Sequence, residues 1–293
     1  MHSLLSIQQR QAFEAQGYLL VRQVLNAQVF DPIRSVTISA IDQYAQSLYD
    51  QGQISDLYKN LSFYKRLTQI SRQSQTGPLL HWNWNKQVFG REIYQLITHS
   101  AILDIAASLL GPEITANGDY WLRFKMPTGD DSVFPWHQDS IYYNGNADPD
   151  QSVILSEQSQ ILTVWIPMVE VDEQNGCLQI IPGSHKRGLR PARRDENGRQ
   201  VPVEDVESWA KVENVKMKVG DVCVFSNLTF HRSLANMSDE IRWSIDLRYS
   251  PTGSPLEWFH RKWPSLIARS QRRPETVESW EMWRAKRIIS DLE

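Results

Sequence analysis

The sequence predicts a mainly β fold flanked by helices, built as one domain around an antiparallel barrel or sandwich. Three observations predict it. From about residue 114 the chain breaks into short β-type runs separated by turn residues, with no helices between them, which points away from a parallel α/β sheet. The residues before that carry apolar side chains at three-to-four spacing between helix caps. A chain of 293 residues is also long enough for a core without staples. It needs to be, because Cys177 and Cys223 allow at most one bridge and supply neither a disulfide framework nor a cysteine zinc cage.

The helical region is expected over 1–113. Ser6 with Gln9 forms a capping box ahead of Ile7 and Phe13, with a stop at Gly17, and the apolar run Tyr18 to Val21 follows. Asn26 caps a longer helix that places Phe30, Ile33, Val36, Ile41, Tyr44 and Leu48 on one side and ends near Gly52. A third helix is expected over Asp56 to Arg72, and a fourth over Ile102 to Leu110 before Gly111 and Pro112. HWNWN at 81–85 has neither helical nor strand period and reads as a loop.

A β core is expected over 114–250, with strands near 120–126, 161–167, 177–181, 212–216, 222–226 and 242–249. The polar stretches 144–160 and 186–209 are long for connections and read as loops or lids. A C-terminal extension over 251–293 carries a helix after Pro274, acidic at its start and basic at its end, with Val277, Trp280 and Trp283 on one side.

A formal net charge of −3 and a pI near 6.2 argue against a protein dominated by nucleic-acid binding. MHSLLSIQQRQAF meets Gln and Arg too soon for a signal-peptide core, and no apolar run approaches the roughly 20 residues of a membrane span. A reducing, cytoplasmic setting is expected, with a small-molecule partner rather than a nucleic acid or a membrane. Aromatic residues are abundant, with 11 Trp, 10 Tyr and 9 Phe, whereas the 7 His are few enough to weigh one by one.

In W136-H137-Q138-D139, extended geometry turns residues i and i+2 the same way, so His137 and Asp139 can converge on one point. A satisfied surface pair has the same pattern. His231 follows the strand-like GDVCVF at 220–225 and either caps that region or adds a second imidazole. Two histidines and one carboxylate make the facial triad that suits non-haem Fe(II), leaving positions for a chelating cosubstrate and O2. In R242-W-S-I-D-L-R-Y249, alternation puts Arg242, Ser244, Asp246 and Arg248 on one face and Trp243, Ile245, Leu247 and Tyr249 on the other. If the apolar face packs on the helices, the charged face points into the barrel, where a guanidinium wants a carboxylate such as that of 2-oxoglutarate. A salt-bridge network on a solvated face is the alternative.

HQDS at 137–140, LTVWIPMVEVDEQNGCLQIIPGSHKRG at 162–188, VGDVCVF at 219–225, and His231-x-Ser233 with Arg242 eleven residues after His231 resemble, in this order, the phytanoyl-CoA dioxygenase family of Fe(II)/2-oxoglutarate oxygenases. The resemblance covers about 114–250 and extends weakly to FEAQGYLLVRQVL at 13–25. It implies a double-stranded β-helix, the jelly-roll of cupin-like enzymes, with Fe(II) held by His137, Asp139 and His231. It implies that Arg242 and Ser233 grip the distal carboxylate of 2-oxoglutarate, and that Thr163 and Trp165 line the same pocket. Related halogenases replace the carboxylate ligand with a small residue, so Asp139 favours hydroxylation, desaturation or cyclisation over halogenation.

His185, in the turn PGSH, is read as satisfying loop backbone and not as a ligand. Tyr142, Tyr143 and Asn144, directly after the HxD segment, are candidate pocket wall or lid. Trp82 and Trp84 either stack on a substrate or anchor a rim loop. In Y120-W-L-R-F-K-M126, Trp121, Arg123 and Lys125 share a face. If it points inward, Arg123 or Lys125 meets 2-oxoglutarate or an anionic substrate, and if outward both are ordinary solvated charges. The basic runs at 260–264 and 270–273 read as solvated surface. The expected activity is hydroxylation of a small organic molecule, as in natural-product tailoring, with release of succinate and CO2. An acyl-CoA or other carboxylate substrate, a non-catalytic metal-binding cupin-like module, and an oxygenase acting on a macromolecule are the alternatives.

Overall fold

The computed structural model describes residues 5–74, 88–118, 120–142, 160–254 and 264–290. Trp82, Trp84, Tyr143, Asn144 and nearly all of the 144–160 stretch lie outside them.

Local sequence rules act first. Helix α1, Ile7–Gln16, has the reciprocal capping box of Ser6 and Gln9 and ends at Gly17 in the left-handed region (φ 77°). A Cβ on Gly17 would lie 2.7 Å from the Thr229 hydroxyl, so glycine also permits close approach there. Asn26 caps a 3-10 turn, Ala27–Phe30, that runs into α2, Asp31–Asp50. The third helix is shorter than the pattern predicts: α3 spans Arg66–Ser74. Asp56 accepts a hydrogen bond from the Tyr58 amide, and Tyr58 itself takes φ 53°, so a local Asx turn replaces the first helical turns.

Helices α4, Arg91–Ile97, and α5, Ser100–Leu110, follow, the first of them unforeseen. Together Arg91–Leu110 form a 20-residue stretch long and apolar enough to cross a membrane by length and composition, which the sequence reading did not register. The chain breaks it at Thr98 and His99, and Ile93, Leu96, Ile97, Ile102, Leu103, Ile105 and Ala106 are buried in the core.

Among the described residues, seven strands form the major sheet in the order β1-β10-β5-β12-β2-β13, with β3 also paired to β12. Their ranges are β1 Tyr18–Val21, β2 Ile114–Ala116, β3 Trp121–Lys125, β5 Leu162–Pro167, β10 Val222–Ser226, β12 Arg242–Pro251 and β13 Leu266–Arg269. The minor sheet has the order β4-β11-β6-β9, from Phe134–His137, His231–Ser233, Leu178–Ile180 and Glu213–Val215. All ladders are antiparallel, and the two sheets form the jelly-roll. The stretch 186–209 is not all loop: β7, Ala192–Arg194, and β8, Gln200–Pro202, make a hairpin whose turn Asp195 holds through the Asn197 and Arg199 amides.

Alternation then sorts the side chains. Leu162, Val164 and Ile166 of β5, Val222 and Val224 of β10, and Trp243, Ile245, Leu247 and Tyr249 of β12 join the helices in one core. Trp243 stacks on Phe63 at 4.8 Å, and the Tyr249 hydroxyl donates to Ile97 O. The opposite faces of the same strands give Trp165, Cys223 and Phe225, which pack with Cys177, Leu178 and Ile180 between the sheets. Both cysteines are free and buried.

The last helix, α6, spans Trp280–Ser290 instead of starting after Pro274. Pro274–Thr276 is a 3-10 turn, Glu278 bonds the Ile267 amide, and the Ser279 hydroxyl accepts from the Met282 amide, so the start falls at Ser279. Val277 therefore lies outside the helix.

Candidate metal and cosubstrate site

The two site histidines are cross-strand neighbours. In the β4–β11 ladder His137 is registered against His231, and their rings lie 4.1 Å apart, centroid to centroid. His137 Nδ1 donates to Pro135 O at 2.8 Å and His231 Nδ1 to Thr229 O at 3.0 Å, which directs both Nε2 lone pairs inward. Each Nε2 is 3.7 Å from Asp139 Oδ1. Burial lowers the pKa of His137 to about 3 and that of His231 in the same direction, which favours the neutral imidazoles that could bind a metal.

Asp139 reaches this point by a turn and not by the extended geometry the HxD spacing suggests. Strand β4 ends at His137, and Asp139–Tyr142 is a 3-10 turn. The turn is anchored by the Ser140 amide on Asn227 O and by Asn227 Nδ2 on the Ser140 hydroxyl. Gln138 is buried between them and spends its whole amide, donating to Gly188 O and Leu228 O and accepting from the Arg190 amide. Sequence reasoning missed Gln138 and Asn227, because their work is to fix backbone and no ligand chemistry marks them.

The second carboxylate oxygen is also held. Asp139 Oδ2 accepts from the Thr163 hydroxyl at 2.5 Å and from Arg248 Nη2 at 3.3 Å. Burial alone pushes the carboxyl up, but Arg248 and the Thr163 hydroxyl hold it well below the usual carboxylate range. The expectation that Thr163 lines the cosubstrate pocket meets a different contact: its hydroxyl is engaged by Asp139.

Arg242 opens β12, fully buried, with its guanidinium 5.2 Å over the Trp165 ring. Its hydrogen bond to the Ser244 hydroxyl is long, 3.5 Å, and its Nε is buried without a partner. A buried cation in this condition is incomplete, and a carboxylate completes it. Ser233 is buried on β11, two residues from His231 and so on the same face. The orientation of β3 is resolved: Arg123 Nε bonds Asp246 Oδ2 at 2.5 Å, and Lys125, cross-strand from Arg242, is buried with Nζ on Ser132 O. Burial, with Arg242 and Arg123 nearby, lowers the Lys125 pKa to about 6. Gly176 makes room for it, since at φ 87° a Cβ there would meet Lys125 Cδ at 2.7 Å.

Aromatic rings wall the triad. Phe134 and Tyr142 stand edge-on to His137 at 4.7 and 5.6 Å, and Phe225 lies 4.4 Å from His231. His185, as expected, bonds a backbone carbonyl, Glu14 O, and takes no part in the site.

The donor set fits Fe(II). Two neutral imidazole nitrogens and one carboxylate oxygen, all within 4.8 Å of one another and all buried, supply one face of an octahedron. The phytanoyl-CoA dioxygenase family model matches residues 13–244. This chain belongs to the phytanoyl-CoA dioxygenase family. Phytanoyl-CoA dioxygenase 1 of Oryza sativa subsp. japonica is 29% identical over 147 residues, covering 48% of this chain and 51% of its own length. A 1-deoxypentalenic acid 11-beta-hydroxylase of Streptomyces arenae is 27% identical over 174 residues, covering 54% and 57%. The chain thus spans little more than half of either relative. The structure of EctD from S. alaskensis with 2-oxoglutarate and 5-hydroxyectoine has the same fold, with a TM-score of 0.58, 18% identity, and coverage of 96% of this chain and 84% of that one. Family membership and the triad agree on the kind of metal the site takes.

Proposed function

We propose that this protein is an Fe(II)- and 2-oxoglutarate-dependent dioxygenase that hydroxylates a C–H bond of a small organic molecule. The observation that carries the reading is the convergence of His137 Nε2, His231 Nε2 and Asp139 Oδ1 on one point, together with a buried Arg242 whose Nε lacks a partner. Bound Fe(II) with 2-oxoglutarate supplies O2 activation coupled to decarboxylation, yielding succinate and CO2.

The residues of the chain do the rest. His137, His231 and Asp139 would hold the metal through two imidazole nitrogens and one carboxylate oxygen, a donor set that leaves room for a chelating cosubstrate. Arg242 binds the distal carboxylate of the cosubstrate, Ser233 adds a hydroxyl, and Trp165 supports the guanidinium from below. Lys125, beside Arg242, gains its proton when that carboxylate arrives. Phe134, Phe225 and Tyr142 exclude water around the imidazoles, and Tyr142, the most exposed of the three, stands where substrate enters. The retained carboxylate of Asp139 favours oxygen insertion over halide transfer.

A natural-product tailoring role is supported by the Streptomyces arenae relative, whose name describes 11-beta-hydroxylation of 1-deoxypentalenic acid. The test is a metabolite-pool screen for substrate-stimulated 2-oxoglutarate turnover, followed by mass spectrometry. A product heavier by one oxygen, labelled from 18O2, is expected. Succinate release that no small molecule stimulates would contradict the assignment.

A further inference from the structure

We infer that Arg248 and Thr163 act as a paired clamp that keeps Asp139 a one-oxygen ligand, so that only Oδ1 faces the metal. The inference rests on the reading of His137, Asp139 and His231 as the metal site. Its basis is a register: Arg248 of β12 and Thr163 of β5 are direct cross-strand partners. Both strands turn these residues away from the helical core and toward the minor sheet. From adjacent positions the two side chains meet on one atom, Asp139 Oδ2, at 3.3 and 2.5 Å. Both are buried, so water does not compete for the contact.

The geometry divides the carboxylate by function. Oδ1 stands 3.7 Å from each imidazole Nε2, whereas Oδ2 is tied to the sheet behind it. A carboxylate with both oxygens free can swing to bind a metal through both, occupying a position the chelating cosubstrate needs. Thr163 sets the torsion of the group and Arg248 fixes its far oxygen with a charge-assisted bond. Arg248 also gives the buried carboxylate a counter-charge, which keeps the ligand set in place before the metal arrives. Arg248 and Thr163 are thus positioning residues, acting on the metal through Asp139.

The test uses Co(II) as the probe, under exclusion of air, with purified full-length protein. Thr163→Val and Arg248→Met are each expected to weaken Co(II) binding about tenfold or more and to change the Co(II) visible spectrum, as loss of a ligand-orienting partner does. Thr163→Ser and Arg248→Lys should restore part of the affinity and the wild-type band shape. In the double variant the losses should fall short of the sum, because both act on one oxygen. Circular dichroism establishes that each variant is folded, and Thr163→Val, which keeps the side-chain volume, guards against misfolding of Arg248→Met. Folded variants with wild-type or tighter Co(II) binding and an unchanged spectrum overturn the clamp while leaving the metal site standing. A wild-type chain that binds no Co(II) removes the site reading, and the clamp with it.

Discussion

His137 and His231 face each other across the β4–β11 ladder, and each aims Nε2 at the same atom, Asp139 Oδ1, from 3.7 Å. The relationship is a property of register. A slip of one residue in either strand would turn one imidazole to the opposite face and dissolve the triad. Backbone carbonyls at Pro135 and Thr229, each two residues before its histidine, fix both tautomers in the same way.

If the triad is the reactive centre, Asp139→Ala should abolish metal-dependent succinate formation, by at least a thousandfold, with the fold intact. Succinate assays alongside metal titration check this. Turnover by the variant at more than a few per cent of wild type would place the chemistry elsewhere.

Arg242→Gln should raise the 2-oxoglutarate requirement by roughly thirtyfold or more, since removing one partner of a buried charged pair costs about 2–5 kcal/mol. Metal affinity should stay within about twofold of wild type. A cosubstrate titration and a metal titration on the same preparation separate the two effects.

Lys125 makes cosubstrate binding depend on pH. Without an anion its pKa is lowered to about 6, so at pH 7.5 the folded chain holds Nζ largely uncharged. A bound carboxylate favours the charged form, so binding takes up protons, and affinity falls as pH rises above about 6. Stability runs the opposite way with pH. Between about 6 and 10.5 the unfolded chain binds more protons at this site, so Lys125 costs least at high pH, and Lys125→Met should raise Tm at pH 7. Calorimetry in two buffers of different ionisation enthalpy checks the proton uptake, which Lys125→Met should remove.

Trp243→Ala should destabilise the fold by about 3–5 kcal/mol, because a fully buried ring stacked on Phe63 leaves a cavity between sheet and helices. Chemical denaturation measures it. A loss below about 1 kcal/mol would mean that the helices contribute little to holding β12, and with it Arg242 and Arg248, in place.

Much of this arrangement is legible in the sequence because it follows from period. The alternation of β12 puts Arg242 and Arg248 on one face and Trp243 on the other, while which of the two turns inward is set by the packing of Trp243 on Phe63 and the helices. The capping box at Ser6 and the stop at Gly17 are equally local. The site's closure is harder to read. Asp139 arrives through a 3-10 turn anchored by Gln138 and Asn227, whose partners lie 50 to 90 residues away in sequence. The Thr163 hydroxyl serves Asp139, a contact set by strand order and not by composition. Short strands such as β2, β4 and β11 carry too few residues for alternation to register, and α3 gives way to an Asx turn that apolar spacing does not weigh.

The central claim is that His137, Asp139, His231 and Arg242 together hold Fe(II) and 2-oxoglutarate. Its most direct measurement is the visible absorption of the purified protein with Fe(II) and 2-oxoglutarate under anaerobic conditions. The account predicts a weak charge-transfer band that needs both components, is lost in Asp139→Ala, and is recovered in Arg242→Gln only at raised 2-oxoglutarate. A fully metal-loaded wild-type protein with no such band would contradict it.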